Sequence, residues 1–417
     1  MTASRGDILA RVRAQFGNAP PARLGVAVSG GGDSVALLHI LAHCFEVGSV
    51  ELSAVTVDHG LRPEAADEAR LVAGLADELG IPHTVLRWTG WDGSGNLQAR
   101  AREARYRLIS DWAKSTEVAV FALGHTADDQ AETVLMGLAR RSGVNGLSAM
   151  PLRRVMHGIS MVRPLLNTSR DDLREYLTTR GIAWAEDPSN NDQNFDRVKM
   201  REALRVLESY GLTAQAFATV ARNMAQARES LDWFTFLTAR DIATVDGGDV
   251  ALDLRQFRTL PEEIARRLLV HAINWVGGQY KGPRHAAVTQ ALKSVRAGLS
   301  ITLNGCHVQR FSRQIWISRE YNAVSALRAA TGDTWDRRWR CDGRSERPLE
   351  IRALGREGLN LCPEWRLTGR PLASLIASPA VWDGPELVAA PLAGRPDGWD
   401  AWLVGGEEEF FASLLSH

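Results

Sequence analysis

Leu24-Gly25-Val26-Ala27-Val28-Ser29-Gly30-Gly31-Gly32-Asp33-Ser34-Val35-Ala36-Leu37-Leu38 is the stretch whose reading decides the fold. Leu24–Ser29 is an apolar run of buried-strand length, and Asp33–Ala42 follows with a helical pattern. Three consecutive glycines between them allow a tight turn and bring backbone N–H groups up to an anion. The helix starting at Asp33 adds its partially positive end, and Ser34 adds a hydroxyl donor. A carboxylate at Asp33 repels phosphate unless a magnesium ion lies between them, so Asp33 reads as a metal ligand. No lysine follows the glycines, which disfavours the GxxxxGK[ST] loop of ordinary phosphoryl transfer. Ser29, Gly30, Gly31, Gly32, Asp33 and Ser34 are the candidate phosphate-binding residues. The bland alternative is a tight strand–helix connection.

Outward from this loop the pattern repeats. Leu52–His59, His83–Trp88 and Val118–His125 read as further strands, and Ile159–Leu165 as a fifth. Helical patterns occupy Glu64–Leu79, Gln98–Trp112, Ala127–Arg141 and Ser169–Arg180, the last capped by Ser169 and closed by Gly181. This alternation predicts an α/β domain with a doubly wound parallel sheet. In such a sheet ligands sit beyond the carboxyl ends of the strands, where the strand order reverses. Asp187–Asp192 is a cluster of turn formers and a natural domain exit. The pattern from Arg197 to Ser294 is mostly helical, with a hairpin expected at Val245–Leu254 around Asp246-Gly247-Gly248. Ile301–Arg319 alternates like a second short hairpin, and beyond Thr331 the chain is richer in Pro, Gly and Trp.

Composition narrows the function classes. The 417 residues suit two or three domains. Lysine plus arginine (49) equals aspartate plus glutamate (49), which argues against a non-specific nucleic-acid coat but leaves room for a local basic surface. No apolar stretch reaches the about 18 residues of a membrane span. Met1–Arg13 lacks the apolar core of a signal peptide, so a cytoplasmic location is expected. Cys44, Cys306, Cys341 and Cys362 form no CxxC pair, which disfavours a metal cage, an iron–sulfur cluster and a disulfide framework.

Four more segments carry motifs. They are Val57-Asp58-His59-Gly60-Leu61-Arg62, the run Asn96-Leu97-Gln98 through Arg105-Tyr106, Leu123-Gly124-His125-Thr126-Ala127-Asp128-Asp129-Gln130-Ala131-Glu132-Thr133, and Trp184-Ala185-Glu186-Asp187-Pro188-Ser189-Asn190. The Ser-Gly-Gly-x-Asp-Ser loop resembles that of the PP-loop ATP pyrophosphatases. The whole set is similar to the tRNA(Ile)-lysidine synthases within them, densely over residues 24 to 201. The resemblance implies ATP as co-substrate with magnesium, and free L-lysine and a CAU-anticodon isoleucine tRNA as partners. In the implied reaction the 2-carbonyl oxygen of the wobble cytidine attacks the α-phosphate of ATP and pyrophosphate leaves. The ε-amine of lysine then attacks the activated ring carbon and expels AMP. The resemblance and the pattern together divide the chain into a PP-loop catalytic domain (1–190), a mainly helical tRNA-contacting domain (191–325) and a small C-terminal domain (326–417). The oligomeric state stays open.

The residue types fit this chemistry. Asp128 and Glu132 are four apart and Asp129 and Glu132 three apart, so all three share a helix flank where carboxylates can hold an ammonium or a magnesium ion. His125, at a strand's carboxyl end, is placed to accept a proton from an amine whose ordinary pKa is about 10.4. Asp128 and Asp129 can equally be acids that merely cap a helix start. Arg105 falls on the position that the family pattern ties to nucleotide handling, so Asp33, His125, Asp128 and Arg105 form the expected catalytic set. Arg197-Val198-Lys199-Met200-Arg201 corresponds to an RNxxR pattern that contacts the anticodon region, with Val198 in place of the usual Asn. Seven arginines between Leu138 and Arg174 suggest a basic stripe for an RNA stem, or solvated helix ends and loops. Trp335–Arg340 can offer a surface for base stacking, although tryptophans are more often core residues. The rivals are a tRNA 2-thiolation enzyme, for which the expected catalytic domain offers only Cys44, a non-catalytic tRNA-binding protein, and an amidating synthetase.

Overall fold

The computed structural model of the protein describes residues 8–46, 48–60, 65–89, 91, 97–186, 196–278, 282–345 and 347–415. Leu61, Arg62, Asn96, Asp187, Pro188, Ser189 and Asn190, all parts of motifs quoted above, lie outside the described residues. The chain divides into two compact units, residues 1–228 and 229–417.

The first unit runs α1 (Ile8–Ala14), β1 (Arg23–Ala27), α2 (Gly32–Cys44), β2 (Glu51–Asp58), α3 (Ala65–Glu78), β3 (His83–Arg87), α4 (Leu97–Ser115), β4 (Val120–Leu123) and α5 (Ala127–Ala139). It continues with α6 (Val144–Leu147), β5 (Arg153–Met156), β6 (Ile159–Val162), α7 (Arg170–Thr179), α8 (Asp196–Glu208) and the start of α9 (Ala214–Ile242). The six strands form one sheet in the order β3-β2-β1-β4-β6-β5. All neighbours are parallel except the edge pair β5–β6. β1 therefore lies between β2 and β4, and the strand order reverses between β1 and β4. This is the predicted doubly wound sheet. Apolar β1 is buried at its centre, and α2 is buried along Ser34–Leu38, Ile40 and Leu41. Each of those leucines contributes about 1.5–3 kcal/mol by leaving water.

The sequence pattern missed β5. Its residues Arg153-Arg154-Val155-Met156 are mostly exposed, so no apolar alternation marks it. His157 and Gly158 both adopt positive φ in a two-residue turn that pairs Met156 with Ile159, the geometry of a tight hairpin.

The second unit takes the remainder of α9 and adds β7 (Ala243–Asp246), β8 (Asp249–Asp253), α10 (Leu254–Thr259), α11 (Glu262–Gly277), α12 (His285–Arg296), β9 (Ile301–Leu303), β10 (Cys306–Phe311) and β11 (Gln314–Arg319). The hairpin expected at Asp246-Gly247-Gly248 is present as β7–β8. The stretch 301–319 forms three strands and not one hairpin, within the sheet order β7-β8-β11-β10-β9. Beyond it lie a four-stranded antiparallel sheet and a two-stranded ribbon pairing Trp339–Gly343 with Trp399–Leu403.

Of the two readings of Trp335–Arg340, the structure supports the core one for both tryptophans. Trp335 and Trp339 are 1% and 5% exposed and belong to a hydrophobic core. Arg338 donates to the carbonyls of Val276 and Gly248, and Asp336 is held by Arg319 at 2.7 and 2.9 Å. Burying two indoles outweighs offering them to a base. Among the described residues no helix is long and apolar enough to cross a membrane.

Candidate active site

Two loops meet at the carboxyl ends of β1 and β4, because Ala27 pairs with Leu123. In the first, Gly30 sits at φ +89°, a conformation other residues rarely adopt, and Gly31 precedes α2 without a side-chain cap. The first N–H groups of α2 have no intrahelical acceptor and face the crevice end of the sheet. The Ser34 hydroxyl donates to the Gly31 carbonyl at 2.9 Å and accepts the Ser29 N–H at 3.1 Å. It therefore braces the loop, with the hydroxyl of the exposed Ser29 3.2 Å away. The Ala185 N–H donates to the Gly30 carbonyl at 2.9 Å, which ties the start of the domain-exit segment to the loop.

The second loop, Gly124-His125-Thr126, opens α5. Thr126 and Asp129 form a reciprocal capping box: Asp129 Oδ2 accepts the Thr126 N–H at 2.8 Å, and Thr126 Oγ1 accepts the Asp129 N–H at 3.4 Å. Asp129 is thus a cap, as the bland reading held, but its other oxygen faces an arginine. Arg170, the first residue of α7, donates to Asp129 Oδ1 at 2.6 Å, Glu132 Oε1 at 2.8 Å and Asp33 Oδ2 at 3.2 Å. Its backbone N–H reaches Asp128 Oδ2 at 2.8 Å. Arg201 of α8 also donates to Glu132 Oε1, at 2.7 Å.

The four acids are not equivalent. Glu132 is fully buried and Asp129 nearly so, whereas Asp33 and Asp128 are partly exposed. Burial pulls Asp129 upward, but Arg170, His125 and the Thr126 N–H outweigh it and hold the carboxyl below its usual range. Burial dominates for Asp33, pushing it up to about 6 against Arg170, and it raises Asp128 too. Asp128 is the acid without a charged donor, and Asp33 has the longest charged contact.

Burial, helped by the positive field of Arg163, Arg102 and Arg197 and opposed by Asp129, lowers His125 to about 4. Its imidazole is therefore neutral at pH 7, and its buried Nδ1 has no hydrogen-bond partner. Arg105 of α4 donates from Nη2 and Nε to His59 Nε2 at 3.2 and 3.4 Å, at the carboxyl end of β2. Arg197 and Arg201 lie in the first turns of α8, and Val198 between them is buried.

A family model described as the PP-loop domain matches residues 6–207. A tRNA(Ile)-lysidine synthase from Ruegeria pomeroyi is 57% identical over 417 residues, with 100% of both chains covered. This chain belongs to the tRNA(Ile)-lysidine synthase family. Relatives of the same name from Wolbachia pipientis wMel (35% identical, 76% of each chain) and Bradyrhizobium diazoefficiens (40% identical, 66% of this chain and 80% of that one) are similar to it as well.

In this tRNA(Ile)-lysidine synthase family member Asp33 of the phosphate loop and Asp128, Asp129 and Glu132 of α5 meet at Arg170; sequence reading had one omission and two corrections here. The omission is Arg170, which sequence reading counted only as a basic residue of the RNA stripe. Its position directly after the N-cap Ser169 was the available signal. As corrections, Arg170 is engaged by carboxylates, and Arg163 is 3% exposed and donates to the Pro151 carbonyl at 2.8 Å. Both therefore leave the stripe. Arg140, Arg141, Arg153, Arg154 and Arg174 remain exposed. Arg201, which sequence reading assigned to the anticodon region, donates to Glu132 of α5.

Proposed function

We propose that this chain ligates free L-lysine to carbon 2 of the wobble cytidine of a CAU-anticodon isoleucine tRNA. ATP adenylates the cytidine, and AMP and pyrophosphate are released. The observation that carries the reading is the full-length 57% identity to a tRNA(Ile)-lysidine synthase; the crevice geometry supports it.

The loop Ser29–Ser34 binds the ATP phosphates through the N–H groups at the start of α2. Asp33 fits magnesium: it is a partly exposed carboxylate with one long contact to Arg170, beside where a triphosphate would lie. Among the described residues no group of three or more His, Cys, Asp or Glu forms an all-protein cage. That suits an ion held by one or two carboxylates and substrate phosphates. Bound there, magnesium neutralises charge on the pyrophosphate leaving group. Arg105, oriented by His59, reaches toward the nucleotide as a second source of positive charge. In the first step the cytidine O2 bonds to the α-phosphorus and the bond to pyrophosphate breaks. In the second the lysine ε-nitrogen bonds to carbon 2 and the bond to the AMP oxygen breaks. Asp128 receives the substrate ammonium at its exposed side, with Asp129 and Glu132 behind it. His125, neutral at pH 7, takes the proton that the lysine nitrogen sheds once it has bonded to carbon 2, when that proton is strongly acidic.

Residues 1–190 carry the chemistry in this proposal. Residues 191–325, with Arg197 at their start, contact the tRNA beside the exposed arginines of the first unit, and 326–417 form the C-terminal part. Mass analysis of nucleosides from a CAU-anticodon isoleucine tRNA, incubated with enzyme, ATP and lysine, tests the proposal. The expected product is cytidine converted to a lysine-bearing nucleoside, and unmodified cytidine refutes it.

A further inference from the structure

Arg170 distributes its donors with little redundancy. Three guanidinium nitrogens go to three carboxylates on two different segments, Asp33 of the phosphate loop and Asp129 and Glu132 of α5. Its own backbone N–H takes the fourth, Asp128. One residue at the start of α7 therefore touches all four of these acids, across 137 residues of chain in the longest case.

The bonds differ in strength, and the difference follows exposure. Asp129 and Glu132 receive the short charged contacts, 2.6 and 2.8 Å, and lie at the back of the site. Glu132 has a second arginine on the same oxygen. Asp33 receives the longest contact, 3.2 Å, and Asp128 only a neutral peptide donor. A charged donor contributes roughly twice what a neutral one does. Asp129 and Glu132, and more weakly Asp33, are thus matched by positive charge, and Asp128 is not. An incoming cation gains most at Asp128.

We infer that Arg170 is a positioning residue that sorts these carboxylates, neutralising Asp129 and Glu132 so that the substrate amine is drawn to the Asp128 side of the crevice. The inference rests on the ligase reading above. A buried ion pair is weak evidence of a stability role, since apolar replacements are often as stable. A network of this kind at the mouth of a site is better explained by what it leaves unpaired. Without the guanidinium, Asp129 and Glu132 compete for the amine and hold it away from the reacting carbon.

The test is steady-state kinetics of Arg170→Gln and Arg170→Lys with ATP, lysine and cognate tRNA, with and without added methylguanidinium. The wild-type enzyme forming lysidine is the control: if it forms none, the ligase reading fails. Given that control, the glutamine variant should lower kcat/KM for lysine about ten- to a hundredfold, the scale of lost charged hydrogen bonds, while the KM for ATP changes less. Methylguanidinium should restore part of the loss. The lysine variant keeps the charge but cannot span three acids, so it should fall between. Unchanged lysine kinetics in a folded glutamine variant overturns the inference. So does an equal loss toward ATP and lysine that methylguanidinium does not repair, which marks a merely structural arginine. If the glutamine variant fails to fold, the lysine variant decides alone, and wild-type lysine kinetics in it overturns the inference.

Discussion

Gly124 lies against the backbone of Ser34: a Cβ on Gly124 would stand 3.1 Å from the Ser34 Cα and 3.2 Å from the Asp33 carbonyl oxygen. The end of β4 and the start of α2 approach this closely because β1 and β4 are parallel neighbours. The phosphate loop and the His125 loop face each other for the same reason. Gly124→Ala must push backbone aside, which a flexible side chain would not require. The expected result is a loss of about 1–3 kcal/mol of stability, the usual scale of overpacking, with a raised KM for ATP. Thermal unfolding and ATP kinetics check it, and a variant matching wild type in both contradicts the close approach.

Asp33→Ala should abolish ATP turnover and leave the fold intact. The side chain is partly exposed and its carboxyl is pushed up to about 6, so folding gains little from its charge. Pyrophosphate release and the unfolding midpoint are the paired readouts. Near-normal release by a folded variant removes Asp33 from the nucleotide site.

Arg201→Ala tests where that arginine acts. It donates to the fully buried Glu132 at 2.7 Å, so its loss should cost about 1–3 kcal/mol and slow turnover. The salt dependence of tRNA affinity should not change, because a contact with Glu132 releases no counterion. A salt slope flattened by about one unit would show instead that Arg201 meets a phosphate.

Asp249, in the second unit, makes stability depend on pH. Burial pushes its carboxyl up to about 6 despite hydrogen bonds from Ser374 and Trp316, the latter at 2.7 Å. A raised carboxyl pKa means that the folded state binds the proton more tightly than the unfolded state. Stability from this group is full below the ordinary value near 3.8 and is lost as pH rises through 6. Asp249→Asn keeps an acceptor for Trp316 and has no charge to bury. Its stability relative to wild type should grow between pH 4.5 and 7.5 by about 2 kcal/mol. Denaturant unfolding at the two pH values measures this, and a flat difference contradicts it.

How much was legible in the sequence follows from the range of each signal. Leu24–Ser29, the glycine loop and Ser169 before its helix are local patterns, and each became the expected element. β5 was not legible, because an exposed edge strand carries no apolar alternation. Trp335 and Trp339 stayed open in the sequence because a Trp-Arg run reads alike on a surface and in a core, and only burial separates the two. The acids Asp128, Asp129 and Glu132 were found by helical spacing. Their sorting was not, since it depends on Arg170, about 40 residues away in sequence, and Arg201, 69 residues from Glu132. Pairing across such distances is decided by the sheet order, which a single sequence does not display.

Pyrophosphate release in three mixtures tests the central claim most directly. If cytidine is the group that attacks ATP, then ATP with magnesium and lysine but no tRNA should release almost none. Cognate tRNA without lysine should allow at most about one pyrophosphate per enzyme, because each step needs its own nucleophile held within about 3–3.5 Å of its target. All components together should turn over, with AMP appearing in equal amount. Lysine-dependent pyrophosphate release in the absence of tRNA would contradict the account, because lysine and not cytidine would then be the adenylated substrate.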